Sequence, residues 1–92
     1  MAKPPPGHFT VLYFAAVADY TARESEALPA PLALAKLFGA LEERYPGVRE
    51  GLLGSCLVTV NLEYVDVTAE DGDGVVIKEG DEVAVIPPVS SG

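Results

Sequence analysis

The feature that most constrains the fold is a single segment of helical periodicity, residues 31–47, set between segments of strand character. Pro31 is suited to the first position of a helix, and Pro46-Gly47 to its end. An apolar stripe at helical spacing runs through the segment: Leu34, Leu37, Phe38, Leu41 and Tyr45. About 14 residues rise roughly 21 Å, enough to cross a small sheet. The sequence therefore predicts one main helix packed across one face of a sheet.

Strand-like segments surround this helix. The stretch HFTVLYFAAVADY (8–20) is rich in β-branched and aromatic residues and is apolar at both sets of alternating positions, which predicts a central strand. Other regions also have strand character: an edge strand near Ser25–Leu28, two segments in 56–68 that turn near Asn61-Leu62, a short apolar piece from 75, and a last strand from Glu82 to Ile86. This order predicts an α+β fold with a mixed sheet.

Composition limits the classes of function. The chain has 92 residues, no apolar run long enough to span a membrane, and an N-terminus, MAKPPPGHF, unlike a secretory signal. Its single cysteine, Cys56, cannot form an internal disulfide, so we expect a reducing, cytoplasmic setting. The net charge of −8 repels phosphate backbones and favours basic protein surfaces. We therefore expect protein partners, and neither nucleic acid nor a membrane.

The residue types that usually carry catalysis or bind metals are scarce. With one histidine, His8, and one cysteine, a zinc site of His and Cys ligands is not expected. Cys56 is interpreted as a small buried hydrophobe. The acidic loop AEDGDG (69–74) lacks the spaced glutamate of a calcium loop, and Glu42 and Glu43 are interpreted as solubility charges. We therefore expect no metal, no bound cofactor and no enzyme activity from the chain alone.

Three stretches resemble a known family: VLYFAAVADY (11–20), VTVN (58–61) and GDEVAVIPPVSSG (80–92). Their order and residues are similar to the β-grasp, or ubiquitin-like, fold, and most closely to the sulfur carriers that form the small subunit of molybdopterin synthase. The last stretch is the most specific, because a Gly-Asp-Glu-Val turn and strand lead through Pro-Pro-Val into a tail of small residues. The family pattern ends in Gly-Gly, whereas this tail ends in Ser91-Gly92.

Three successive prolines and a glycine predict a flexible leader (1–7). The resemblance implies a β-grasp domain (8–88) and a reactive tail (89–92). It implies that the α-carboxylate of Gly92 is the reactive group. A ubiquitin-activating-like adenylyltransferase and sulfurtransferase uses ATP to adenylate it, and sulfur is then installed as a thiocarboxylate. The family donates this sulfur to a cyclic pyranopterin monophosphate, which builds the dithiolene of molybdopterin for the molybdenum cofactor.

The residues before Gly92 have the properties that such a tail requires. Residues 87–92 can reach about 20 Å beyond the sheet. Two prolines stiffen the root of the tail, and small residues allow it to enter a narrow channel in the large catalytic subunit. The expected insertion residues are Pro87, Pro88, Val89, Ser90 and Ser91.

Four apolar residues predict the surface that docks on the large subunit. Leu12, Phe14, Ala84 and Ile86 alternate with core positions in two strand segments, so they form a patch if the two strands are neighbours. In the family this docking gives a dimer of heterodimers. The alternative is that loops of the chain itself cover this face.

Other functions remain open at this point. The chain is alternatively another ubiquitin-like sulfur carrier, for thiazole synthesis or tRNA thiolation, a protein modifier conjugated to lysine, or an inactive β-grasp adaptor. Ser91 is consistent with a tolerated natural variant, a deliberate change or a carrier that no longer transfers sulfur. Asp81 and Glu82 serve either as a turn acid and a strand-start charge or as contacts to the activating enzyme.

Overall fold

A computed structural model describes residues 4–65 and 75–88 of the chain. This part forms a five-stranded sheet, a two-stranded sheet and short helices. In chain order the elements are β1 (His8–Tyr13), α1 (Ala16–Thr21), β2 (Ser25–Pro29), β3 (Leu32–Ala33), α2 (Leu37–Arg44), α3 (Val48–Gly51), β4 (Leu57–Val60), β5 (Glu63–Val65), β6 (Val76–Ile77) and β7 (Glu82–Ile86). Short 3-10 turns at Leu34–Lys36 and Leu53–Ser55 precede α2 and β4.

The larger sheet is mixed and has the order β2-β1-β7-β4-β5. The first and last strands of the chain, β1 and β7, are parallel neighbours, and the other pairs are antiparallel. Strand β7 therefore lies at the centre, hydrogen-bonded on both sides. The two-stranded sheet pairs β3 with β6.

The core lies between one face of the larger sheet and the helices. Alternate strand residues such as Phe9, Val11, Val83 and Val85 are fully buried on this face, as the two-residue period of a strand requires. They pack in one cluster with helix and turn residues: Val17, Leu34, Leu37, Phe38, Leu41, Val48 and Leu53. Each fully buried side chain of this kind contributes about 1.5–3 kcal/mol. Most of the predicted helical stripe is thus confirmed as core.

The first apolar segment divides into two elements, so the prediction of one strand over 8–20 was wrong beyond Tyr13. Strand β1 ends there, and Ala15 adopts a positive φ of 50° that turns the chain away from the sheet. Helix α1 then buries Val17 and Thr21, which are four residues apart. The segment is apolar at both alternating sets of positions because it contains the end of a strand and the start of a helix.

The main helix begins later than predicted, and Pro31 is not its first residue. Leu32 and Ala33 instead form β3, in register with Ile77 and Val76 of β6. Pairing with this distant segment outweighs the local helical tendency. Helix α2 consequently has eight residues and ends at Arg44, just before the predicted Pro46-Gly47 stop.

The other predicted strands are confirmed. Strand β2 is an edge strand, and β7 has the predicted bounds of Glu82 and Ile86. The hairpin of β4 and β5 turns at Asn61 and Leu62, which both adopt left-handed φ values of 50° and 71°. Such a turn matches the right-handed twist of the paired strands. The acidic loop of residues 69–74 lies outside the described residues.

Asp81 closes the turn that precedes β7. Its side chain accepts hydrogen bonds from the backbone N–H of Lys78 at 2.8 Å and from Nδ2 of Asn61 at 3.1 Å. The Asn61 Oδ1 atom in turn accepts from the N–H of Glu82 at 2.9 Å. This network supports the turn-acid interpretation of Asp81 and ties the β4–β5 turn to the start of β7.

No helix in the described ranges is long and apolar enough to cross a membrane.

Candidate docking face and tail exit

The chain leaves the larger sheet from its central strand. Val85 of β7 is in register with Tyr13, the last residue of β1, and Ile86 is in register with Leu57, the first residue of β4. Pro87 is half-buried and Pro88 is exposed. Because neither proline has an N–H to donate, strand pairing stops here and the chain departs between β1 and β4. The predicted tail residues, Val89, Ser90, Ser91 and Gly92, lie outside the described residues.

The predicted docking residues lie near this exit. Leu12 and Ala84 are in register on neighbouring strands, on the sheet face opposite the helices, and Ile86 lies on the same face two residues further along β7. Phe14 lies one residue beyond the end of β1 and is 45% exposed. The condition for a patch, that the two strands are neighbours, is therefore met, but Ala84 itself is buried, with 8% exposure. That the patch docks a partner stays a prediction.

Two large exposed side chains on this outer face were not singled out from the sequence. Leu57 is 54% exposed beside Ile86, and Tyr64 of β5 is 72% exposed. Tyr64 is in register with Thr59, which is itself in register with Ala84, so one row crosses the sheet from Leu12 to Tyr64. A signal for Leu57 was present, because it alternates with the buried Val58. We call the set Leu12, Phe14, Leu57, Tyr64, Ala84 and Ile86 the outer-face patch.

An open groove of about 470 Å³ adjoins the outer-face patch at the end of β1. Its lining includes Leu12, Phe14, Ala15 and Glu24. Ala15 has φ 50° and ψ −124°, a conformation that favours glycine and costs a side-chain-bearing residue about 1–3 kcal/mol. This strained turn follows Phe14, the first residue after the end of β1.

On the helix side of the same edge, Glu26 forms a buried polar cluster. Its Oε2 atom accepts hydrogen bonds from the hydroxyl groups of Tyr13 and Tyr45, the latter at 2.6 Å, and its Oε1 atom accepts from Nη1 of Arg44 at 3.3 Å. The Glu26 side chain is only 6% exposed, whereas that of Arg44 is 45% exposed. The rings of Tyr13 and Tyr45 meet edge to face, with centroids 6.2 Å apart. We call these four residues the Glu26 cluster.

The two phenols of the Glu26 cluster remain neutral donors. Burial, reinforced by the hydrogen bond to Glu26 and its charge, raises the pKa of Tyr13 far above its usual range. The pKa of Tyr45 is raised by the same causes. Sequence patterns placed Glu26 only in an edge strand. Its alternation with the buried Leu28 was the available signal that it faces inward.

The structure gives Cys56 and Glu42 structural contacts. The Cys56 thiol donates to the carbonyl oxygen of Leu52 at 3.3 Å, and burial raises its pKa, so it is a poor nucleophile. The prediction that Glu42 is only a solubility charge was wrong. Its carboxylate accepts from the backbone N–H groups of Gly47 at 2.8 Å and Arg49 at 3.0 Å, which holds its pKa below the usual range. Glu42 thereby caps the start of α3.

Potential metal ligands are not grouped in the described ranges. His8 lies by the proline segment, with Nδ1 3.0 Å from the carbonyl oxygen of Pro6. Across residues 4–65 and 75–88, no three His, Cys, Asp or Glu side chains are arranged to hold a metal ion. The exposed apolar side chains of the outer-face patch are suited to binding another protein.

Comparison with known proteins identifies the family. Residues 11–92 match the ThiS family. A molybdopterin synthase sulfur carrier subunit of Pyrenophora tritici-repentis is 59% identical over 90 residues, which cover 98% of this chain and 96% of that protein. Among solved structures, the H. volcanii small archaeal modifier protein 1 is 21% identical with a TM-score of 0.71, covering 90% of this chain and 99% of that one.

A second solved structure has the same fold. It is the protein-protein complex of subunits 1 and 2 of the molybdopterin-converting factor from Helicobacter pylori 26695. One chain of this complex is 24% identical with a TM-score of 0.61, and the match covers 92% of this chain and 99% of that one. The α+β, β-grasp fold predicted from the sequence is thereby confirmed. The chain belongs to the ThiS family, together with the proteins named molybdopterin synthase sulfur carrier subunits that match it over nearly its whole length.

Proposed function

We propose that this chain is a sulfur carrier and the small subunit of a molybdopterin synthase. The observation that carries the proposal is the 59% identity to a protein of that name across 98% of the chain. The architecture supports it, because the central strand β7 leads directly through Pro87 and Pro88 to the C-terminal residues. A strand paired on both sides is a rigid base for a segment that must enter another protein.

The reactive atom in this proposal is the carboxyl carbon of Gly92. A carboxylate oxygen attacks the α-phosphorus of ATP on the activating enzyme and displaces pyrophosphate, which gives an acyl-adenylate. A hydrosulfide equivalent then attacks the acyl carbon and displaces AMP, which leaves the C-terminal thiocarboxylate. The terminal sulfur bonds to a carbon of the cyclic pterin monophosphate as the bond from that carbon to an oxygen substituent breaks. Water then cleaves the acyl–sulfur bond and regenerates the carboxylate, so that each carrier exchanges one oxygen of the precursor for sulfur. Two carriers supply the two sulfurs of one dithiolene.

The large subunit has to supply the acid and base groups for transfer. Among the described residues that flank the exit, Phe14, Leu57, Ile86, Pro87 and Pro88 have side chains that cannot exchange a proton. The carrier therefore presents the donor, and the partner provides the catalytic groups.

The outer-face patch is the surface proposed to dock on the large catalytic subunit. The H. pylori structure, which contains subunits 1 and 2 of a molybdopterin-converting factor in complex, supports a partner of this kind. Exposed apolar side chains beside the exit suit such an interface, because they bring the partner's site close to the root of the tail.

We propose a heterotetramer, and a ubiquitin-activating-like adenylyltransferase as a second partner. The cytoplasm suits a carrier with a free thiol.

The test is mass spectrometry of the intact carrier after incubation with the activating enzyme, ATP and a sulfur donor. The expected result is the mass increase of one oxygen-to-sulfur exchange, localised to the C-terminal peptide. A variant that lacks Gly92 is the control and should gain nothing. An unchanged mass for the full chain refutes the carrier function, and heavier species that resist reducing agent would indicate conjugation to lysine instead.

The effect of Ser91 is measured separately. A strain that lacks its own small subunit is complemented with this chain or with Ser91→Gly, and molybdoenzyme activity is assayed. Equal activity shows that serine is tolerated at this position. Activity only with Ser91→Gly shows that this chain has lost the transfer function.

A further inference from the structure

The Glu26 cluster is not used by the proposed docking surface or by the chemistry of the tail. A buried carboxylate is costly unless hydrogen-bond donors and a cation compensate for lost hydration. Glu26 has three donors, from Tyr13, Tyr45 and Arg44, which are drawn from two other elements of the fold. The described residues contain no buried side-chain polar atom without a hydrogen-bond partner. The cluster is thus a fully satisfied polar network in a small apolar core.

The cluster lies directly beside the last paired residues of the tail-bearing strand. Tyr13 is in register with Val85, and the next residue of β7, Ile86, is the last before the two prolines. Tyr13 is also held through its backbone, because its N–H donates to the carbonyl oxygen of Glu24 at 2.9 Å. Its hydroxyl group donates a hydrogen bond to Glu26, and its ring packs edge to face against that of Tyr45. The end of β1 is therefore fixed from both β2 and α2.

This arrangement has a consequence for the direction of the tail. On one side, β7 is paired with β4 up to Ile86, where the partner Leu57 is itself the first residue of its strand. On the other side, pairing stops at Tyr13 and Val85. The position of the tail root therefore depends on how firmly the end of β1 is held. Displacement of a reacting group by about 1 Å can cost 100-fold in rate.

We propose that Glu26 is a positioning residue for sulfur transfer: through Tyr13 and Tyr45 it fixes the end of β1 and thereby the direction in which β7 delivers the C-terminus. This inference rests on the proposed carrier function. It assigns to Glu26 a role in the rate of transfer in addition to its contribution to stability. Glu26 does not touch the tail and acts only through its phenol partners.

The experiment compares two tyrosine variants with matched chemistry. Tyr45→Phe removes a 2.6 Å hydrogen bond to Glu26, whereas Tyr20→Phe removes a 2.6 Å hydrogen bond to the carbonyl oxygen of Pro46, which is not part of the Glu26 cluster. Each thiocarboxylated variant is mixed with saturating large subunit and the pterin precursor, and the single-turnover rate is measured. Melting temperature and affinity for the large subunit are measured in parallel. Glu26→Gln, which removes the charge at the centre of the cluster, is the second test variant.

The expected result is about a 10-fold lower transfer rate for Tyr45→Phe and Glu26→Gln, with unchanged affinity for the large subunit and a normal rate for Tyr20→Phe. Normal transfer by both cluster variants overturns the positioning role, whatever their melting temperatures. Equal slowing of all three variants also overturns it, because general destabilisation then explains the loss. If the wild-type chain accepts no sulfur, the carrier function fails instead, so the two failures are distinguishable.

Discussion

Ile86, the last residue of β7, lies in register with Leu57, the first residue of β4, so that two apolar side chains flank the point where the chain leaves the sheet. Leu57 is more than half exposed, although its neighbour Val58 is buried. An exposed leucine at this position adds little to the stability of the isolated chain. It is well placed to be buried by a protein that receives the tail.

Substitution of Leu57 by aspartate tests this contact. Leu57→Asp should weaken binding to the large subunit by about 2 kcal/mol, or roughly 30-fold, because a charge would be buried without a partner at the interface. Leu62→Asp adds the same charge at an exposed turn position at the other end of β4 and should bind normally. Isothermal titration calorimetry gives both affinities. Equal affinities for the two variants would exclude Leu57 from the interface.

Gly39 offers a prediction about stability. It lies within α2, and a Cβ atom added there would meet nothing within 4 Å, so close packing on a strand, one reason for a glycine at this position, does not apply. Gly39→Ala should raise the free energy of unfolding by about 0.5–1 kcal/mol through lower backbone entropy in the unfolded chain. Urea denaturation measures the change, and a less stable variant would contradict the open surroundings of this residue.

Gly47→Ala is the matched control for that measurement. Gly47 has a φ of +93°, and an added Cβ would lie 2.7 Å from the hydroxyl oxygen of Tyr20. The same chemical change should therefore destabilise the fold by about 1 kcal/mol or more. Opposite signs for the two substitutions are expected.

The cap formed by Glu42 predicts a loss of stability in acid. Hydrogen bonds from the backbone N–H of Gly47, then from that of Arg49, lower the pKa of Glu42 in the folded state. A lowered folded pKa means that this contribution is present above the usual carboxyl pKa and is lost as the pH falls through the lowered value. The difference in unfolding free energy between wild type and Glu42→Gln should shrink from pH 7 toward pH 3. Glu43→Gln removes the neighbouring charge but neither hydrogen bond, and its difference from wild type should be smaller at pH 7.

Tyr13 predicts the opposite dependence, at alkaline pH. Burial and its hydrogen bond to Glu26 raise its folded pKa, so its contribution is complete below the usual tyrosine pKa and is lost as the pH rises toward the folded value. Above about pH 10, this group alone should lower wild-type stability by about 1.4 kcal/mol per pH unit. Tyr13→Phe lacks this group, and its unfolding free energy should fall less steeply. Parallel curves for the two proteins would show that Tyr13 titrates alike when folded and unfolded.

Sequence patterns predicted the elements whose burial is regular along the chain. Val83 and Val85 recur at the two-residue period of a strand, and the leucines of α2 recur at helical spacing, so a single period identified each element. The strand prediction was wrong after Tyr13, because AAVADY is apolar enough to extend the strand pattern although most of it forms a helix. The helix prediction was wrong at Leu32 and Ala33 for another reason. The residues with which they pair, Val76 and Ile77, are distant in sequence.

The candidate site was predictable to a similar extent. Resemblance to the sulfur-carrier family supplied the tail and the outer face, and alternation selected Leu12, Ala84 and Ile86. The Glu26 cluster was not predictable in this way. Its members come from β1, β2 and the end of α2, and no periodic pattern specifies which hydroxyl groups meet a given carboxylate in three dimensions.

Because β1 and β7 are parallel, the start of β1 and the end of β7 lie at opposite ends of the strand pair. His8 begins β1 beside the turn at Gly80, and the N–H of Gly80 donates to the carbonyl oxygen of His8. Ile86 ends β7 at the opposite end of these parallel strands. A fluorophore or an immobilisation handle joined to the chain ahead of Pro4 would therefore be attached near the start of β1, at the end of the strand pair opposite to Pro87 and Pro88. Single-molecule recordings of binding to the proposed partners would then need no label near the C-terminus.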